Sequence, residues 1–125
     1  MTSPHVTVVT EANFEDEVLK SDKMVLIDFY ADWCGPCKAM TPTLEKFAEE
    51  NAATVKVVKI NVDDNPQLAA GFNVKSIPLL VTIKDGQAIF GSAGSLPKSG
   101  IEAFVKASFD EVQLPSSKPN KGPTP

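Results

Sequence analysis

Apolar residues change their period several times along the chain, and each change predicts an element. Phe14 and Val18 stand four apart between Asn13, a candidate N-cap, and acids in the first turn, so residues 13–20 read as a short amphipathic helix. Met24 to Tyr30 (MVLIDFY) is a continuous apolar run broken only by Asp28, the pattern of a strand covered on both faces, which predicts a buried Asp28 carboxyl. From Gly35 to about Glu50 helical spacing returns through Met40, Leu44, Phe47 and Ala48, with Pro42 predicting a kink. A second apolar strand spans 55–62, and Asp63-Asp64-Asn65-Pro66 then signals a turn and a short helix with Pro at its first position, ending near Gly71. Residues 79–84 and 87–90 read as two antiparallel strands around Asp85-Gly86, a dipeptide suited to the positive φ angles of a tight hairpin. Gly91, Gly94 and Pro97 mark a loop, and Ile101, Phe104, Val105 and Phe109 form the apolar stripe of a last helix.

Strands and helices alternate before a final hairpin and helix, which predicts an α/β fold with a mixed sheet and helices on both faces. The last eleven residues hold four of the ten prolines and no large apolar side chain. Such a segment cannot bury enough surface to offset its ordering entropy. One folded domain is expected over residues 1–110 and a Pro/Ser/Lys-rich flexible tail over 111–125. A chain of 125 residues leaves no room for a second core.

Charge narrows the function. All 12 basic residues are lysines, against 16 acids, and the net charge is −4. Without guanidinium groups or a basic block, nucleic acid is not an expected partner. No run approaches the roughly 18 apolar residues of a membrane span, and MTSPHVTVVT is not a leader pattern, so a cytoplasmic protein that does not bind membranes is expected.

The two cysteines, Cys34 and Cys37, stand in Trp33-Cys34-Gly35-Pro36-Cys37, between the first long strand and the start of a helix. Unsatisfied N–H groups and the helix dipole stabilise a negative charge there, which would lower the thiol pKa of Cys34. A thiolate attacks disulfides, and a second thiol two residues on can resolve the mixed disulfide within one helical turn. A bridge closing so short a loop restrains the unfolded chain little, so a purely structural staple explains the pair poorly. A zinc site would need two further ligands, and the chain adds no third cysteine and only His5. Two inert buried thiols are the remaining alternative.

WCGPCK preceded by DFYAD resembles the active-site segment of the thioredoxin family. Asp28, Trp33, Pro42, Lys59, Asp63, Ile77-Pro78, Gly86 and Gly94 stand in the order and spacing of that family, so the resemblance spans about residues 6–110. It implies the thioredoxin fold, a central mixed five-stranded sheet flanked by four helices. It also implies a general protein-disulfide reductase in which Cys34 is the nucleophile, Cys37 the resolving thiol, Asp28 the base beneath Cys37, and Lys59 a modulator of that carboxylate. On sequence alone Asp28 could equally order local hydrogen bonds, and Lys59 could be an ordinary strand lysine with its head in water.

By the same resemblance Pro78 is a cis-proline facing the cysteines, and the Ile77 backbone pairs with an extended substrate segment. Trp33, Gly35, Pro36, Ile77 and Gly94, with Gly71, Phe72, Val74 and Ser95 nearby, would form a contact patch. Gly35-Pro36 between the cysteines resembles the reductase branch, whereas oxidant and isomerase relatives commonly carry histidine before the second cysteine. The implied partners are diverse disulfide-containing proteins and a flavin-containing thioredoxin reductase that passes on electrons from NADPH. No bound cofactor or metal is expected, and a monomer is. Two positions depart from the family pattern: Tyr30, where tryptophan is common, and Leu79, where threonine usually follows the cis-proline. The competing function is a thioredoxin-like binding or scaffold subunit whose cysteines are dispensable.

Overall fold

The structure, a computed structural model, describes residues 4–113. Five strands, β1 (Val6–Val8), β2 (Met24–Tyr30), β3 (Val55–Asn61), β4 (Leu79–Lys84) and β5 (Gln87–Ala93), form one sheet in the order β1-β3-β2-β4-β5. β1, β3 and β2 run parallel, whereas β4 is antiparallel to β2, and β5 to β4. The central position of β2 explains its unbroken apolar pattern, because helices cover it above and below.

Alternation along each strand divides the core. Leu26, Val55, Val57 and Leu80 face α1 (Gly35–Glu50) and α3 (Lys98–Gln113), meeting Met40, Leu44, Phe47, Ile101 and Val105. Truncating one such side chain, for example Leu44→Ala, costs about 2–5 kcal/mol. On the other face Val25, Ile27, Phe29, Val58 and Ile60 pack against Val18, Leu68 and Phe72, supplied by the turn at Glu15–Leu19 and by α2 (Pro66–Gly71) with its following residue.

Several details differ from the pattern-based expectation. The first helix is a single π-type turn over Glu15–Leu19, closed by the Lys20 N–H on the Glu15 carbonyl at 3.0 Å. Asn13 does not cap it: its Oδ1 accepts the Thr10 N–H at 2.7 Å and closes the preceding turn. α1 is one helix from Gly35 to Glu50 with Pro42 inside it, where the missing proline N–H removes one i→i−4 hydrogen bond, the physical cause of the expected kink. β3 ends at Asn61, and β5 extends to Ala93, so Gly91 is a strand residue and not a loop marker. α3 crosses the expected domain edge at residue 110 and reaches Gln113; the rest of the expected tail, 114–125, lies outside the described residues. Asp85 and Gly86 take positive φ, as the hairpin requires.

Candidate active site

β2 and α1 form the site between them. β2 delivers the chain to its carboxyl end, and Cys34 becomes the N-cap of α1 with extended backbone angles. Its sulfur accepts the Cys37 N–H at 3.2 Å, so it occupies the place where a helix start stabilises negative charge. Pro36 falls in the first turn, where an absent N–H costs nothing. Cys34 and Cys37 are joined as a disulfide with Cα atoms 5.3 Å apart, both nearly buried, at 4% and 3% exposure. They pack with Ala31, and Tyr30, Val62 and Ile77 lean against them.

The Ile77-Pro78 bond is cis, Pro78 is buried, and Ile77 contacts the cysteine cluster. Gly94, at φ +96°, donates its N–H to the Pro78 carbonyl at 2.8 Å and so ties the end of β5 to this loop. A Cβ at position 94 would have no atom within 4 Å, so backbone conformation, not crowding at Cβ, favours glycine there. Trp33 is 70% exposed, and its indole N–H donates to Asp63 Oδ2 at 2.8 Å. Gly35 and Pro36 are exposed beside it. Phe72 and Val74 are half-buried and pack with Ile77 on the second core, the Phe72 ring lying 5.2 Å from that of Phe29 and 5.9 Å from that of Phe14.

Asp28 is 2% exposed, and its Oδ1 has no hydrogen-bond partner. Burial raises its carboxyl pKa to about 6, opposed by the charge of Lys59. Lys59 is the residue opposite Asp28 in the parallel register of β2 and β3, which puts both side chains on one face. Its ammonium lies 4.4 Å from the centre of the Tyr30 ring. Tyr30, Lys59 and Cys37 line one cleft of about 380 Å³ together with Asp32, Lys38 and Glu45. On sequence alone Tyr30 reads only as an aromatic exchange. The signal that could have found it is its position two residues from Asp28 on a strand, which fixes a shared face.

Among the described residues no cluster of three or more His, Cys, Asp or Glu side chains is arranged to hold a metal ion, and no helix is long and apolar enough to cross a membrane. A vicinal cysteine pair at a helix start, over a mixed α/β sheet, defines a thiol–disulfide oxidoreductase. The family model described as Thioredoxin matches residues 5–107. The chain is 46% identical over 100 residues to a thioredoxin of Porphyra purpurea, covering 80% of this chain and 94% of that protein. It is 47% identical over 97 residues to a thioredoxin of Haemophilus influenzae (78% and 91%), and 42% identical over 107 residues to one of Pseudomonas aeruginosa (86% and 99%). The chain belongs to the thioredoxin family, and it is a protein thiol–disulfide oxidoreductase that works by dithiol–disulfide exchange through Cys34 and Cys37.

Proposed function

We propose that the reducing direction is the physiological one and that the site residues divide its work as follows. In the reduced protein the Cys34 thiolate attacks a substrate disulfide, forming a mixed disulfide and expelling one substrate thiolate. Asp28 takes the proton of Cys37; the Cys37 thiolate then attacks the Cys34 sulfur, the Cys34–Cys37 bond forms, and the second substrate thiolate leaves and is protonated. Two electrons pass from the dithiol to the substrate. Lys59 tunes the proton affinity of Asp28. Trp33, Gly35, Pro36, Ile77, Pro78 and Gly94 form the docking surface, with the Ile77 backbone pairing to an extended substrate strand. Recognition through main chain suits diverse disulfide-containing proteins as partners.

The observation that carries this reading is the position of Cys34 as N-cap of α1, its sulfur already accepting the Cys37 N–H. That placement favours an anion on residue 34 before residue 37. The oxidised pair is recharged by a thioredoxin reductase that draws on NADPH through a flavin, and the protein acts as a cytoplasmic monomer with no bound cofactor. Cys37→Ser tests the division of roles: it should accumulate mixed disulfides between Cys34 and target proteins in a cell extract. Capture of the same proteins by a Cys34→Ser variant would reverse the assignment. A redox titration against glutathione tests direction, and a strongly oxidising potential would overturn it.

A further inference from the structure

A lysine directly across from a buried aspartate is expected to close an ion pair, and here it does not. Asp28 Oδ1 is unpartnered, while the Lys59 ammonium sits 4.4 Å from the Tyr30 ring centre. The register explains the geometry: Asp28 lies opposite Lys59, and Tyr30 lies opposite Asn61, all on the face of the sheet that looks toward α1. Lys59 therefore reaches either neighbour on β2. Over the ring, which lines the open cleft, the ammonium keeps water on its other side; against Asp28 it would have to shed that water.

We infer that Tyr30 is a positioning residue whose ring face holds the Lys59 ammonium off the Asp28 carboxylate, leaving that carboxylate free to exchange a proton with Cys37. The inference rests on the proposed role of Asp28 as base. Other charged groups face the same space. Lys38 and Glu45 of α1 line the cleft with Cys37, and Asp32 follows β2; burial raises the pKa of the Tyr30 phenol, Asn61 opposes the rise by hydrogen bonding, and the carboxylates of Asp32, Asp64 and Asp28 add to it. Asp32, Glu45 or Asp64 could draw Lys59 elsewhere once the ring is removed, so the test must read Asp28 itself.

The measurement is the Asp28 carboxyl titration, followed by carbon NMR on the oxidised full-length protein. Tyr30→Leu should lower the Asp28 pKa by about one unit, the usual effect of an opposite charge brought within reach. Tyr30→Phe keeps the ring face and should leave the value where it is. Water admitted in place of the ring would lower the pKa with or without Lys59, whereas the proposed movement needs the ammonium; in a Lys59→Met background Tyr30→Leu should therefore have a much smaller effect than in the wild type. Should Tyr30→Leu fold poorly, Tyr30→Met serves in its place. An unchanged Asp28 in the ring-less variants, an equal drop with and without Lys59, or a Tyr30→Phe variant that behaves like Tyr30→Leu overturns the inference. The pH profile of insulin reduction separates the two levels. If the Asp28 pKa moves as expected and the acidic limb of the rate profile does not follow, the positioning holds and the base role falls.

Discussion

Asp28 on β2 and Thr82 on β4 are both polar, both buried, and both on the sheet face that α1 and α3 cover, yet they are treated in opposite ways. Thr82 is fully satisfied. Its hydroxyl is 2.7 Å from that of Ser108 on α3, and it accepts the Phe90 N–H at 3.2 Å, so three elements are joined at one oxygen. Asp28 leaves an oxygen without a partner and keeps a raised pKa. A buried polar group that is satisfied secures packing; one left unsatisfied is destabilising and persists where chemistry uses it. Asp28 also lies toward the carboxyl end of β2, where open α/β sheets place their sites, while Thr82 lies mid-strand against Ser108 of α3.

The strongest test of this contrast is to disable the site outright. Cys34→Ser should abolish insulin reduction, leaving only the dithiothreitol background, while Thr82→Val retains normal turnover. Activity surviving in the first variant would remove the site from the comparison.

Asp28→Asn sharpens it, because activity and stability should move in opposite directions. If Asp28 is the base proposed above, its loss leaves Cys37 to ionise spontaneously; a thiol of ordinary pKa near 8.5 is only about 3% thiolate at pH 7, so the resolving step should slow by up to about 30-fold. Stability changes the other way. The folded carboxyl titrates at about 6 and the unfolded one at 3.8, so the native state holds the proton more tightly and loses stability as pH rises between those values. Above that window the cost is constant, up to about 3 kcal/mol, and the uncharged Asn should recover it at pH 7. Urea denaturation should show the gain fading below about pH 4. A variant that is less stable at pH 7 would contradict the burial argument.

Thr82→Val should cost about 1–3 kcal/mol, because it strips a partner from Ser108 and from the Phe90 N–H. Adding Ser108→Ala should cost less than the sum of the two single changes, as expected for a shared hydrogen bond, and urea midpoints for the four proteins measure that coupling. Trp33→Phe provides the smallest effect. It removes an exposed indole donor from Asp63, and thermal melts should change by no more than about 0.5 kcal/mol in stability, with any effect confined to substrate affinity.

What can be read without the structure follows from how local the information is. Asp28 stands out as the one charge in an apolar strand, and the cysteines by their spacing at a helix start. β1 is implied by the strand–helix alternation but not located, because Val6–Val8 is too short to show a period and is defined by its pairing with β3. The turn at Glu15–Leu19 has the apolar spacing of an α-helix, and Asn13 has the chemistry of a cap; the contacts of Thr10 and the β1 exit decide otherwise. The stacking of Lys59 on Tyr30 joins residues on different strands, and no short window along the chain contains both.

The sulfur of Cys34 serves the backbone as well as the substrate. Because the Cys37 N–H already points at it, the α1 terminus would require no new hydrogen-bond partner for the proposed thiolate on residue 34 once the bond to Cys37 opens. The two oxidation states would then present the same scaffold with a different charge, and a partner that tells one from the other could do so by sensing a single electrostatic feature at the tip of the helix.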